Sequence, residues 1–226
     1  MGSLNGDLSL SRLSIPGTHN SGALHEDWPD TAQTQDLSIP DQLNIGIRFL
    51  DIRCRHVDNL FAIHHGSVYQ ELNFNDVLNM VFTFLNNNPT ECVTMSVKEE
   101  YDPSGNTRTF EETFDAYVNQ NPAGWYLGDT VPTLSQAKGK ILLMRRFEAV
   151  APPKGITAAD GWQGNTTFWI NNPASPLRIQ DNYNVSSTGA KWNTIVSLFN
   201  EAALGDPGAL YLNFTSGYTE GLFGIP

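Results

Sequence analysis

Short apolar runs alternate with amphipathic helical stripes along most of this chain, and that alternation restricts its possible folds more than any other feature. A short apolar run bounded by turn residues reads as a buried strand, and apolar residues recurring every 3.6 positions read as a helix. Residues 13–15, 47–53, 60–64, 92–98, 141–144, 177–180 and 210–214 read as strands. Residues 40–45, 73–87, 109–119 and 191–203 read as helices. The clearest helix is 73–87, where Val77, Leu78, Val81, Phe82 and Leu85 fall on one stripe, with Asn73 as N-cap and Asp76 at the third helical position. In 109–119 the apolar side is Phe110, Phe114, Tyr117 and Val118; in 191–203 it is Trp192, Ile195, Val196, Leu198 and Phe199. Strands separated by helices build parallel sheets, because a parallel neighbour is reached only by a crossover.

Residues 151–172, rich in Gly, Pro, Thr and Trp, read as a long irregular loop. For the loop aromatics Trp162, Phe168 and Trp169, core packing is the default and an exposed rim for lipid contact is the alternative; Leu222, Phe223 and Ile225 are further rim candidates. Seven strands fall one short of a closed (β/α)₈ barrel. The polar residues nevertheless favour that architecture. His19, Arg53, His65, Lys98, Arg146 and Asp181 all lie at or just past strand C-terminal ends, which in a barrel converge on one mouth. The expected fold is therefore α/β, a distorted and incomplete (β/α)₈ TIM-type barrel forming a single domain over residues 1–226.

Composition narrows the function. Hydrophobic residues make up 40% of the 226 and charged residues only 16%, which supports a sizeable core. The formal net charge of −11 argues against a nucleic-acid footprint and against long-range attraction to anionic membrane. Lipid docking, if any, must be apolar and local. Cys54 and Cys92 make no disulfide framework and read as free or semi-buried thiols. No run of about 18 apolar residues occurs, residues 1–10 lack a signal-peptide pattern, and Gly6 departs from the myristoylation motif that Met1-Gly2 begins. Sequons start at Asn165, Asn184 and Asn213, the last inside an apolar run and expected to be buried.

Two histidine motifs carry the chemistry. One is Ile15-Pro16-Gly17-Thr18-His19-Asn20-Ser21-Gly22; the other is His64-His65-Gly66, preceded by Asp51-Ile52-Arg53. Two imidazoles and a guanidinium are what metal-free phosphodiester cleavage requires. One histidine takes a proton from a nucleophile, the other gives one to the leaving group, and the arginine holds the charge building on phosphorus. His64 and His65 alternate in facing, so strand periodicity admits one of them and does not choose.

With these motifs, the segments Gly46-Ile47-Arg48-Phe49-Leu50-Asp51-Ile52-Arg53, Met95-Ser96-Val97-Lys98-Glu99-Glu100-Tyr101, Gln180-Asp181-Asn182-Tyr183 and Tyr211-Leu212-Asn213-Phe214 make the chain resemble the phosphatidylinositol-specific phospholipase C family, most closely its bacterial, metal-independent branch. The resemblance runs from about residue 13 to 214. It implies cleavage of phosphatidylinositol, or a glycosyl-phosphatidylinositol lipid, to diacylglycerol and a cyclic inositol phosphate. His19 resembles the general base and His65 the general acid. Arg53 matches the phosphate-binding arginine, with Asp51 at the acidic position beside it. Lys98, Arg146 and Asp181 resemble contacts to inositol hydroxyls, and Tyr183 a ring packed on the inositol face. The resemblance also implies no metal and no cofactor, a monomer, a lipid head group as partner with peripheral membrane contact, and an extracellular location.

Two departures qualify it. Metal-free relatives carry Asp where this chain has Asn20, and that Asp assists the general acid; Asn20 cannot carry charge, so His65 is expected to be a weaker acid. The family's eighth strand, with an aspartate orienting the first histidine, has no counterpart before Pro226. These departures support an alternative: a catalytically weak barrel that binds inositol phosphate or lipid head groups. A metal-dependent phosphodiesterase on the same fold is a third reading, and Arg53 stands against it because a guanidinium would repel the cation.

Overall fold

The structure, a computed structural model, describes residues 1–28 and 32–219. The rim candidates Leu222, Phe223 and Ile225 lie outside the described residues. The chain divides into two units, Met1–Thr157 and Ala158–Pro226.

The first unit runs β1 (Gly17–Thr18), α1 (Ile39–Asn44), β2 (Phe49–Val57), β3 (Leu60–His65), β4 (Val68–Asn73), α2 (Phe74–Asn87), β5 (Val93–Glu99), α3 (Phe110–Val118), β6 (Trp125–Tyr126), α4 (Leu134–Ala137), β7 (Ile141–Arg146) and β8 (Ile156–Thr157). Its sheet has the order β4-β3-β2-β5-β7-β6, with β1 also pairing β2 and β8 also pairing β7. The middle of this sheet is parallel, as the strand–helix alternation requires: β2 pairs β5, and β5 pairs β7.

Turn chemistry makes the other end of the sheet antiparallel. Asp58 and Asn59 both adopt positive φ, 50° and 59°, which closes β2 and β3 into a hairpin with a two-residue turn. β4, absent from the hydropathy reading, continues as a third antiparallel strand. Its exposed Tyr69 and alternating polar residues hide it from an apolar-run criterion. The first strand also shifts, from 13–15 to Gly17–Thr18. The carbonyl of Pro16 accepts from Arg48 N and Phe49 N at 2.9 and 3.2 Å, drawing the next residues against β2. A Cβ on Gly17 would sit 2.9 Å from that of Phe49, so only glycine allows the approach.

Strand parity then divides the sheet into two faces. Leu50, Ile52 and Cys54 of β2, Val93, Met95 and Val97 of β5, and Ile141 and Leu143 of β7 face the core. That core is closed by α2 through Phe74, Val77, Leu78, Val81 and Leu85, and by α3 through Phe110, Phe114, Tyr117 and Val118. Both helices start where the sequence marks them. Asn73 N donates to Asp76 Oδ2 at 3.0 Å, and Thr109 N to Glu112 Oε2 at 2.8 Å, each closing a capping box. The intervening residues of the strands, Asp51, Arg53, Ser96, Lys98, Met144 and Arg146, occupy the opposite face.

The second unit contains β9 (Thr167–Ile170), β10 (Leu177–Gln180), α5 (Thr188–Leu204) and β11 (Leu210–Asn213). β10 pairs antiparallel with β9 and parallel with β11. Eleven strands thus form among the described residues where apolar runs mark seven. Two of the extra ones, β8 and β9, lie in the segment expected to be an irregular loop. The aromatics of that segment mostly pack. Phe168 is buried, Trp162 meets it edge-on at 5.8 Å, and Trp169 is capped by the Arg178 guanidinium at 5.4 Å. Asn213 is held by its side chain, which donates to Ile195 O at 2.9 Å and accepts from Gln180 Nε2 at 2.8 Å.

α5 buries a different stripe from the one hydropathy selects. Lys191, Ile195 and Leu198 face inward, at spacings of four and three, while Trp192 and Phe199 are exposed. The lysine is admitted because its ammonium donates to Gln180 Oε1 at 3.0 Å and Asn182 O at 2.7 Å. Cys54 and Cys92 are free and buried, as their number suggests. Among the described residues no helix is long and apolar enough to cross a membrane.

Candidate active site

The parallel register of β2, β5 and β7 builds the site. Arg53 pairs with Lys98, and Lys98 with Arg146, so three cations lie side by side on three adjacent strands. Adjacent strands are about 5 Å apart, and such a row needs counter-charge. Asp51 supplies it from one row earlier and Glu100 from one row later.

Asp51 is only 1% exposed, and isolating a carboxylate from water costs several kcal/mol. Five groups offset that cost. His19 Nδ1 lies 3.2 Å from its Oδ2, Arg53 Nε 3.4 Å from the same oxygen, and the Asn20 N–H donates to it at 3.3 Å. On Oδ1, Ser96 Oγ donates at 3.2 Å and Arg146 Nη1 lies at 3.6 Å. Burial alone would raise the Asp51 pKa, but Arg53, His19 and Arg146 outweigh it and hold the carboxyl well below the usual range. It is therefore a fixed anion at neutral pH.

Glu100 sits in a second buried position. Its Oε1 lies 3.4 Å from Arg53 Nη1 and accepts from Gly66 N at 3.2 Å, while Oε2 accepts from Lys98 Nζ at 2.6 Å. Burial opposes its ionisation, but Arg53 and Lys98 dominate and lower its pKa. Between these two carboxylates Arg53 has its pKa raised: desolvation works against the charge, and Asp51 and Glu100 overcome it. A continuous set of contacts thus runs from His19 through Asp51, Arg53 and Glu100 to the glycine that follows His65. Glu100 is the link to the residue that follows the second histidine. A buried acid two residues past Lys98 on the same strand face is the signal that could have marked it.

His65 Nδ1 lies 2.7 Å from the carbonyl of Ala32. A carbonyl only accepts, so Nδ1 carries the proton and Nε2 is the atom left for proton transfer. His64 points away. It is 6% exposed, stacks with Tyr101 at 6.3 Å, and has its pKa lowered by burial. Asn20 adopts a left-handed backbone, φ 45°, which Asn tolerates better than most residues. It is 3% exposed, and neither polar atom of its carboxamide has a hydrogen-bond partner among the described residues.

Asp181 and Tyr183 belong to the second unit. There Asp181 Oδ2 accepts from Trp162 Nε1 at 3.0 Å, and Tyr183 is 39% exposed and stacks on Tyr218 at 6.1 Å. Among the described residues no three His, Cys, Asp or Glu side chains gather as a metal-holding cluster.

Two imidazoles, one within 3.2 Å of a buried carboxylate and one on a backbone carbonyl, beside a guanidinium fixed between two carboxylates make an arrangement able to do acid–base chemistry on an anion. Residues 7–147 match the phosphatidylinositol-specific phospholipase C, X domain. A protein of Staphylococcus aureus strain Newman, 1-phosphatidylinositol phosphodiesterase, is 36% identical over 197 residues, covering 81% of this chain and 63% of its own length. The protein of that name from Listeria monocytogenes is 32% identical over 227 residues, covering 96% of this chain and 67% of its own. Among solved structures, a mutant of the phosphatidylinositol-specific phospholipase C of S. aureus superposes with a TM-score of 0.88 at 33% identity, covering 99% of this chain and 78% of that one. The L. monocytogenes enzyme does so at 0.78 and 29% identity, covering 97% and 78%.

The chain belongs to the phosphatidylinositol-specific phospholipase C X-domain family. Its α/β architecture is the TIM-barrel-like fold of the bacterial phosphatidylinositol-specific phospholipases C. It spans 63% of the length of the S. aureus relative.

Proposed function

We propose that this chain cleaves phosphatidylinositol, or a glycosylated phosphatidylinositol, by acid–base catalysis between His19 and His65. The observation that carries the reading is the pairing of His19 Nδ1 with buried, ionised Asp51 at 3.2 Å. An acidic partner fixes the imidazole and stabilises its cation, leaving Nε2 to act as base.

His19 Nε2 takes the proton of the inositol 2-hydroxyl, whose oxygen attacks phosphorus. A bond forms from that oxygen to phosphorus, and the bond from phosphorus to the diacylglycerol oxygen breaks. The departing oxygen takes a proton from His65 Nε2. The products are diacylglycerol and inositol 1,2-cyclic phosphate. Arg53, held rigid by Asp51 and Glu100, faces the charge that grows on the non-bridging oxygens. Lys98 and Arg146, in register beside it, offer donors to the polyol. The cations Arg53, Lys98 and Arg146 outnumber the carboxylates Asp51 and Glu100 by one, a surplus that suits a phosphodiester monoanion. Cleaving a lipid head group requires peripheral contact with its bilayer, and reaction at a monomeric, extracellular protein fits this reading.

The test is cleavage of phosphatidylinositol micelles in excess chelator, followed by phosphorus NMR of the product. A cyclic phosphate that disappears in His19→Ala and in His65→Ala supports the mechanism. Undiminished turnover in either folded variant overturns it. Head-group binding without product replaces cleavage with a binding role.

A further inference from the structure

The two histidines are joined mechanically by a short segment outside the family's histidine motifs. Residues 32–35 dock on the turn that carries His19: Thr34 N and Gln35 N both donate to the carbonyl of Ala23, at 3.0 and 3.1 Å. Their side chains reach the histidine itself. Gln35 Nε2 donates to the carbonyl of His19 at 2.6 Å, and Thr34 Oγ1 lies 3.3 Å from the same oxygen and 3.1 Å from that of Asn20. At the other end, buried Ala32 offers its carbonyl to His65 Nδ1 at 2.7 Å. One stretch of four residues therefore touches the backbone of one histidine and the ring of the other.

We propose that residues 32–35 form a positioning strap that sets the orientation and tautomer of His65 from the turn that carries His19, with Thr34 and Gln35 as its positioning residues. The physical reason lies in the hydrogen-bond inventory. Among the described residues the His65 ring nitrogen meets a backbone carbonyl and no carboxylate, so its choice of protonated nitrogen rests on that carbonyl. A carbonyl can enforce that choice only if its own segment is held still. Thr34 and Gln35 supply the hold, and they do so on the oxygen of the very residue whose ring must face the same substrate. Small displacements of either ring misalign a proton transfer, which is costly in rate. The functional half of the proposal rests on the acid–base reading above; the tautomer half does not.

The experiment uses uniformly ¹⁵N-labelled protein and long-range ¹⁵N–¹H correlation of the histidine rings, at a pH where His65 is neutral. In the wild type His65 is expected as the Nδ1–H form. In Thr34→Val/Gln35→Leu, which removes both side-chain donors, that preference is expected to give way to a mixture. The kcat is expected to fall about ten- to hundred-fold with KM little changed and melting temperature nearly preserved. Thr34→Ser, which keeps the hydroxyl, should behave as wild type. Should the double variant not fold, Gln35→Leu alone is read by the same two measurements. An Nε2–H His65 in the wild type, or an unaltered tautomer and kcat in the strap variants, overturns the proposal. If the wild type binds head groups but cleaves nothing, the acid–base reading fails, and the NMR arm still decides the strap.

Discussion

His19 and Asp51 meet at 3.2 Å because β1 pairs in parallel with β2, Thr18 opposite Leu50, which brings the residue after one strand against the inward side chain of the other. Asp51, read from sequence as the neighbour of Arg53, partners both that arginine and His19.

Asp51→Asn should therefore damage two things. Turnover is expected to fall about 10²–10⁴-fold, the span of a general acid–base contribution. Stability should drop as well, because Arg53 and Arg146 lose a buried counter-ion, a loss of about 3–5 kcal/mol in a typical buried pair. Single-turnover kinetics below the melting temperature separate the two effects. A variant with wild-type kcat would remove Asp51 from the mechanism.

Arg53→Ala is expected to lower kcat about 10²–10³-fold, comparable to deleting one donor to a developing anion. Head-group affinity should change only a few-fold, because charge accumulates in the transition state and Lys98 and Arg146 remain. Steady-state kinetics on a water-soluble inositol diester, with inhibition by free inositol phosphate, measures both quantities. An effect confined to affinity would make Arg53 a binding residue only.

Acid should unfold the first unit through Asp51 and Glu100. In both, burial works against ionisation and the neighbouring cations prevail, so the folded pKa is depressed below the unfolded value of about 4. Such a group contributes stability that is fully present above the unfolded pKa. That contribution is lost as pH falls through the folded one. Thermal melting is expected to be flat with respect to these two groups from neutral pH to about 5, then to decline steeply. In Glu100→Gln the acid slope should be shallower. An unchanged slope would show that other carboxylates govern acid unfolding.

Lys191→Met tests the second unit. The ammonium, 5% exposed, is the donor to Gln180 Oε1 and Asn182 O. Removing it strips both acceptors of that donor, at about 1–3 kcal/mol each where no water replaces it. Burial lowers the Lys191 pKa, with Asp181 acting the other way. The unfolded state therefore binds the extra proton more readily, and this group's contribution rises with pH above the folded pKa until the unfolded one is passed. Denaturant unfolding of the variant should show the loss. Unaltered stability would mean that the lysine is replaceable packing.

How far the sequence reaches varies by element. α2 and α3 were readable to within a residue or two because stripe and capping box agree. α5 was readable as a helix, but its inward face was not: a lysine is admitted to a core only when acceptors wait for it, and those acceptors sit on β10. β4, β6, β8 and β9 escaped because short or half-exposed strands carry no apolar run. At the site, His19, Arg53 and Lys98 were visible from motif and parity. The Ala32 carbonyl on His65 was not, since a backbone oxygen leaves no mark in a sequence.

By itself the sequence determined which residues alternate to the polar face of each strand, where the main helices begin, and that two imidazoles and a guanidinium follow strand ends. Those are consequences of periods of 2.0 and 3.6 and of local capping chemistry. Only the tertiary structure decided that Arg53, Lys98 and Arg146 share one register row, that Asp51 and Glu100 bracket it, and that one strap touches both histidines. Register and long-range pairing are set by the packing of the whole sheet, and no local spacing encodes which buried charge will face which.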